Sequence, residues 1–227
     1  MKMNQRKIEI PTRLHVKRVS HTPGFTLIEL LIAMAVGLIV LGAVVTAFTV
    51  QSKHLNKQDQ IAEMQQNARM AMDVLSKEIM MAGYGASSLT RCTGTTTASS
   101  TPCLGISAAN AASISFAADL NENLDITPAT SNPNENITYD LYTSSGVQAL
   151  GRASNGGPRS PVVENVDALT LSYLDGAGAV TTNLASIRAV RITIRTRTAQ
   201  IDPDVGTYRT FTLTANVAPR NLGVPGY

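Results

Sequence analysis

A single acidic residue interrupts a long apolar segment near the start of the chain, in the stretch HTPGFTLIELLIAMA at residues 21–35. Glu29 is the fifth residue of a run from Phe25 to Val50 that is otherwise free of charge. A carboxylate at membrane depth costs roughly 2.5–3.5 kcal/mol on insertion scales, so an acid there usually has a function. The sequence therefore predicts a partner for Glu29, and it raises the question of why Gly24 directly precedes the run.

The only two cysteines, Cys92 and Cys103, are separated by a stretch rich in Thr and Ser. An isolated pair in a loop-like segment of an exported domain predicts a disulfide that closes a short loop. Such a bond stabilises a fold by roughly 2–3 kcal/mol. A metal site would need more ligands, and the spacing is not that of a C-x-x-C redox motif.

Oxygen-bearing side chains recur at every second position in one loop: Asp119, Asn121, Asn123 and Asp125. This spacing is typical of a calcium loop. It departs from the EF-hand pattern, because Leu124 replaces the turn glycine and Thr130 stands where a bidentate acid belongs. Glu122 or Glu135 could take the place of that acid. Two interpretations stay open, a polar loop without metal and a Ca²⁺ site; no cofactor is otherwise required.

Catalytic chemistry has little support in the sequence. Two of the three histidines, His15 and His21, lie in the basic leader, and His54 lies close to the membrane interface. No Ser-His-Asp set, zinc cluster or P-loop is recognisable, and the Gly-Ala-Gly stretch that follows Asp175 lacks the third glycine of a dinucleotide loop. We expect a protein that is not an enzyme.

The positive charge of the chain is concentrated in residues 1–24, which carry six basic residues and one acid. The formal net charge of +3 therefore leaves −2 for the remaining 203 residues, so nucleic acid is not an expected partner. Residues 25–50 give a helix of about 39 Å, enough to cross a hydrocarbon core of about 30 Å. No small-residue cleavage site follows this run, which predicts that it is retained as an anchor. The basic leader stays cytoplasmic, and the chain beyond about residue 50 lies outside.

Helical periodicity continues beyond the apolar run. The apolar positions at helical spacing are Ile61, Met64, Ala68, Ala71, Leu75, Ile79 and Ala82. They predict one helix of about 58 residues that ends before Gly83, a natural C-terminal stop. The same segment contains five methionines, which we interpret as core filler and not as metal ligands: Met64, Met70, Met72, Met80 and Met81.

Period-two alternation predicts strands later in the chain, near residues 137–141, 169–173, 190–194 and 211–217. Such patterns favour an antiparallel sheet with one buried face, which we expect to cover the amphipathic half of the helix in an α+β fold. Arg191, Arg195 and Arg197 alternate on the polar face. They are interpreted as the solvated face of an edge strand, with a partner contact as the alternative.

The stretch from Gly24 to Glu29 resembles the prepilin signature of type IV pilins and type II secretion pseudopilins. The resemblance implies cleavage by a prepilin peptidase after Gly24 and N-methylation of Phe25. It also implies that Glu29 pairs with the Phe25 ammonium of a neighbouring subunit, which offsets the cost of both charges at the membrane. The implied domains are a cleaved leader, a transmembrane and filament-core helix, an amphipathic helix half and a β-rich head: residues 1–24, 25–50, 51–83 and 84–227.

Weaker motifs are similar to PilW-type minor pilins and the related J-type pseudopilins. They are QQNARMAMDVLSKEIMMAGY, VENVDALTLSYLD, IRAVRITIRTR and NVAPRN. The similarity implies a low-abundance subunit that primes or caps a pilus at its tip, with other minor and major pilins and the assembly platform of the inner membrane as partners. Two alternatives stay open: a minor pseudopilin of type II secretion, and a membrane-anchored adhesin or binding protein.

Overall fold

A computed structural model describes residues 24–86, 88–95 and 102–222. The predicted leader, apart from Gly24, lies outside the described residues. The chain divides into two compact units, Met1–Gln51 and Ser52–Tyr227. The helix α1, Leu27–Met81, begins in the first unit and continues in the second.

The described part of the first unit is an exposed apolar helix. Every residue from 24 to 50 is exposed, including Phe25 at 92% and Leu27 at 77%. α1 contains an 18-residue window of mean hydropathy 2.7, none of which is buried within the protein. By length and composition this segment is able to cross a membrane.

The later part of α1 presents an apolar stripe to the core of the second unit. The buried residues of this stripe are Met64, Ala68, Ala71, Met72, Leu75 and Ile79, followed by Ala82 after the helix end. This confirms the predicted stripe, except that Ile61 is only half-buried. The methionine prediction is confirmed for Met64 and Met72, whereas Met70 and Met81 are exposed. The chain leaves the helix through Gly83, whose φ of 81° is the left-handed conformation expected at such a stop.

Two antiparallel sheets complete the second unit. The first has five strands in sequential order: β1 Gly105–Ala109, β2 Ser113–Ala117, β3 Asn136–Ser144, β4 Val147–Ser154 and β5 Ser160–Glu164. The second has three strands, also in sequential order: β6 Val166–Leu174, β7 Ala189–Arg197 and β8 Thr210–Val217. A short 3-10 helix, Leu184–Ser186, precedes β7.

The sequence predicted a single sheet, and the structure divides its strands between two. The four predicted strands are β3, β6, β7 and β8, of which three form the second sheet. The break falls at Asn165, between β5 and β6, where φ is 58°. The Asn165 carbonyl accepts the backbone N–H of Arg197 at 2.9 Å, so the chain leaves one sheet and pairs in the other. Side chains from α1 and both sheets share one hydrophobic core, which includes Leu75, Tyr139 and Ile192.

The interpretation of the arginine row as a solvated strand face is confirmed for the exposed Arg191 and Arg195, but the expected edge position of the strand is wrong. β7, which carries these arginines, is the central strand of its sheet and pairs on both sides. Arg195 Nε lies 2.6 Å from a carboxylate oxygen of Asp167 on β6. The guanidinium carbon of Arg197 lies 4.4 Å from the centre of the Tyr208 ring. These side chains therefore have partners inside the domain.

Candidate functional site

Reciprocal hydrogen bonds between Thr26 and Glu29 close the start of α1. Glu29 Oε2 accepts the backbone N–H of Thr26 at 2.8 Å and its hydroxyl at 3.0 Å. The backbone N–H of Glu29 in turn lies 3.3 Å from Thr26 Oγ1. Because Thr26 directly precedes the first helical residue, this is a capping box, in which each side chain satisfies the backbone donor of the other. Sequence reasoning missed this role, although the T-x-x-E spacing was available to show it.

The carboxylate of Glu29 keeps the capacity for a second partner. Only Oε2 contacts Thr26, and Oε1 makes no hydrogen bond with any described residue. The side chain lies on an exposed helix whose neighbours are apolar. Glu29 is therefore able to hold the cap and to accept a hydrogen bond from a cation of another molecule at the same time.

The chain itself does not require a glycine at position 24. A Cβ atom placed on Gly24 would meet no heavy atom within 4 Å, and φ there is not in the left-handed region. Neither close packing nor backbone strain accounts for the residue.

The predicted disulfide is present in the second unit. Cys92 and Cys103 are bonded, their Cα atoms are 4.8 Å apart, and both are buried. The backbone N–H of Cys92 donates to Leu104 O at 3.0 Å, so the cross-link and the main-chain contact hold the same two segments together. Arg91 donates from Nη1 to the carbonyl of Gly83 at 2.9 Å. The cysteine loop is thereby attached to the end of α1.

Two ion-pair groups connect the second half of α1 to the sheets, and sequence reasoning identified neither. Lys57 Nζ lies 3.2 Å from Asp202 Oδ1 and also contacts Asp204. Asp202 contacts Arg209 as well, and its side chain is only 4% exposed. The hydrogen bond from Arg209, followed by that from the Asp204 backbone, lowers the pKa of Asp202 to about 2.

The second group joins Glu78 of α1 to Arg152 of β4. Arg152 Nε lies 3.1 Å from one carboxylate oxygen of Glu78 and 3.0 Å from the other. Arg152 Nη1 also donates to Asn134 Oδ1 at 3.1 Å. The Glu78–Arg152 pair sits close to Tyr139, where burial raises the pKa of the phenol. Both partners are partly exposed, so the pair orients α1 on the sheet more than it stabilises the fold.

The 119–125 loop, for which a polar loop and a Ca²⁺ site were both left open, is tightly wound and rich in side-chain-to-backbone hydrogen bonds. Asn121 Oδ1 accepts the N–H of Asn123 at 3.0 Å, and Asn123 Oδ1 accepts that of Asp125 at 2.8 Å. Asp125 Oδ1 accepts the N–H of Thr127 at 2.9 Å, and hydrogen bonds from the Thr127 side chain and then its backbone lower the pKa of this exposed carboxyl. Asp119, by contrast, is almost fully buried.

Within the described residues, no three His, Cys, Asp or Glu side chains come together as a group that could hold a metal ion. A site in this loop would therefore depend on amide oxygens in addition to carboxylates. The predicted set of Asp119, Asn121, Asn123 and Asp125 stays a prediction.

A family model described as the prokaryotic N-terminal methylation motif matches residues 21–45. The match covers Gly24 and Phe25, the capping box formed by Thr26 and Glu29, and the first part of α1. It supports a type IV pilin-like prepilin, that is, the precursor of a pilin or a pseudopilin. No curated protein matches the chain.

Prepilin-like proteins have a structural and not a catalytic role. The motif implies processing by a prepilin peptidase and assembly with pilins. Together with the exposed apolar half of α1, it fits a protein anchored in the inner membrane.

Proposed function

We propose that this chain is a PilW-type minor pilin that primes or caps a type IV pilus at its tip. The methylation-motif match at residues 21–45, on a helix whose apolar half is uncovered, supports a pilin-like subunit, and the PilW-type rank rests on the resemblance of the later sequence motifs. A helix with so much exposed apolar surface needs lipid or other helices around it. The second unit, with its own core and disulfide, suits a head exposed outside the inner membrane.

The proposed maturation begins with cleavage after Gly24 by a prepilin peptidase, followed by N-methylation of Phe25. Phe25 is 92% exposed and lies outside α1, so the bond before it is accessible. Cleavage creates an ammonium group at Phe25. The leader is removed while the apolar segment remains attached to the head.

Assembly would then depend on Glu29. The Phe25 ammonium and the Glu29 carboxylate are both costly at membrane depth when they are unpaired. Pairing between neighbouring subunits offsets both costs and sets the axial offset between the helices. The unused Oε1 of Glu29 supports this role, because the ammonium can be accepted without loss of the capping box.

Deletion of the gene, followed by imaging of surface pili, tests the proposal. We expect pili to be lost or strongly reduced, and to return when the wild-type gene is supplied. Normal pili with lost protein secretion would indicate a pseudopilin instead. Normal pili with lost adhesion would indicate an anchored adhesin, and either result would overturn the minor-pilin assignment.

A further inference from the structure

Two carboxylates are buried side by side at the base of the 119–125 loop. Asp119 is 1% exposed and Glu135 is fully buried. The backbone N–H of Ala118 donates to Glu135 O at 2.9 Å, which makes the two acidic residues neighbours. Neither forms an ion pair with a basic side chain among the residues that the structure describes. Two buried carboxyl groups thus lie on neighbouring segments without a basic partner, an arrangement that a bound cation would stabilise.

One oxygen of each carboxylate is used within the loop, and the other has no partner. Glu135 Oε1 accepts the backbone N–H groups of Leu120 and Asn121, each at 3.1 Å. Asp119 Oδ2 accepts the N–H of Leu124 at 3.2 Å. The remaining oxygens, Asp119 Oδ1 and Glu135 Oε2, are buried and accept no hydrogen bond from any described protein atom. Buried polar atoms almost always have partners, so two such oxygens at one loop point to a bound ligand.

The neighbouring amide side chains add neutral oxygens. Asn121 Oδ1 and Asn123 Oδ1 each accept one backbone N–H of the loop, which fixes their position and leaves a second lone pair on each oxygen. A cleft of about 570 Å³ opens next to the loop, with Asp119 and Leu124 in its wall. The cleft therefore borders Asp119, although the Oδ1 atom itself is buried.

We propose that this loop binds a calcium ion through Asp119 Oδ1 and Glu135 Oε2, with Asn121 Oδ1 and Asn123 Oδ1 as further ligands. Calcium takes six to eight oxygen ligands in flexible geometry, and backbone carbonyls or water complete such a shell. Mg²⁺ demands a stricter octahedron and gives up its water reluctantly, so it fits this mixed set less well. The charge of the ion balances the two buried carboxylates.

The proposed ligands differ from the spacing pattern in the sequence at one position. Glu135 takes the place that the alternating pattern gave to Asp125. Glu135 is preferred to Asp125 because its Oε2 is buried and accepts no hydrogen bond, whereas the exposed Asp125 has no buried oxygen of this kind. The site is independent of the proposed role in pili.

Calcium titration of the full-length protein in detergent, after removal of metal with EGTA, is the direct test. We expect binding by calorimetry with a Kd of roughly 10⁻⁵–10⁻³ M, and at least about tenfold weaker binding of MgCl₂. At calcium concentrations about 100 times the Kd, Tm should rise by roughly 5–10 °C. No binding heat together with an unchanged Tm would overturn the proposal.

Three variants identify the ligands. Glu135→Gln and Asp119→Asn should each weaken calcium binding at least about tenfold. In EGTA neither should melt below the wild type, because each removes an uncompensated buried charge. The matched control is Asp125→Asn, which makes the same charge change on an exposed side chain of this loop and should stay within about threefold of the wild type.

If Glu135→Gln binds calcium as tightly as the wild type, the assignment of Glu135 as a ligand is overturned. The assignment is also overturned if Asp125→Asn loses as much calcium affinity as Glu135→Gln. If one ligand variant fails to fold, the wild-type titration still decides whether the protein binds calcium, and the other ligand variant decides whether the ion lies in this loop.

Discussion

The Glu29 side chain serves two purposes that substitution can separate. The capping box accepts Gln as well as Glu at this position, whereas pairing with an ammonium needs the negative charge. We therefore expect Glu29→Gln to keep the helix start but to lower incorporation into sheared filaments at least about tenfold. Glu29→Val should also insert into the membrane, fail to incorporate, and lose in addition a cap worth about 1 kcal/mol. Immunoblots of membrane and filament fractions measure both effects.

Glu63→Gln is the matched control for Glu29→Gln. Glu63 is an exposed acid on the same helix but lies beyond the apolar run, so the same loss of charge should leave incorporation unchanged. If Glu29→Gln enters filaments as efficiently as Glu63→Gln, the carboxylate acts only as a cap and the pairing role is incorrect.

We expect that a residue larger than glycine at position 24 hinders cleavage by the prepilin peptidase and leaves the fold unchanged. Since an added Cβ meets nothing within 4 Å, a larger residue should leave the fold intact. Gly24→Ala should slow cleavage, and Gly24→Leu should block it and leave the precursor, which gel mobility resolves from the mature chain. Gly37→Leu is the control, because Gly37 is equally uncrowded but lies within α1. Complete maturation of Gly24→Leu would argue against cleavage after this glycine.

At the scale of the secondary-structure elements, Lys57 of α1 contacts Asp202 in the segment before β8. This contact depends on pH because the Asp202 carboxyl group takes up a proton as pH falls. Its pKa is lowered to about 2 by the Arg209 hydrogen bond, from about 3.9 in an unfolded chain. A lowered pKa means that the unfolded state binds the proton first as pH falls. The contribution of Asp202 to stability is therefore complete above about pH 5 and is lost between about pH 4 and pH 2.

Asp202→Asn should accordingly lower Tm at pH 7 and leave Lys57 and Arg209 with weaker partners. The Tm difference from the wild type should narrow as pH falls towards 2, as circular dichroism can follow. Asp59→Asn, an exposed change on the same helix, should show little difference at any pH. A Tm gap for Asp202→Asn that is the same at pH 7 and pH 3 would contradict the lowered pKa.

The elements with strong periodicity were predictable, and those without it were not. The stripe from Met64 to Ile79 and strand β7 follow directly from apolar spacing. Strands β1 and β4 were not predicted, because small residues such as Gly and Ala weaken the apolar–polar alternation on which the prediction depends. The Lys57–Asp202 contact joins residues far apart in sequence, and no local pattern encodes such a pair. For the loop, spacing suggested Asp125 and offered Glu122 or Glu135 only in place of the missing bidentate acid, whereas the burial of Glu135 is visible only in the structure.

At the scale of the whole molecule, the two units differ in composition. The first contains the exposed apolar helix that is able to cross a membrane, and the second contains the buried core. Among the described residues, every buried residue of the core lies at or after Met64, so we expect residues 52–227 to form a core without the apolar segment. We expect a 52–227 fragment to be soluble and to melt cooperatively, whereas the full chain requires detergent.

Two variants on the helix of this fragment test whether that core holds it together. Leu75→Ala should destabilise the fragment by about 2–5 kcal/mol in urea unfolding, because Leu75 is fully buried in the core that contains residues of both sheets. Met70→Ala, half-exposed on the same helix, should cost far less. An unfolded fragment, or equal losses in the two variants, would mean that the head depends on the apolar half of α1 for its stability. If the fragment folds and Leu75→Ala destabilises it far more than Met70→Ala, the apolar half of α1 is not needed for the stability of the head. That half would then be available for contacts with the membrane and the filament.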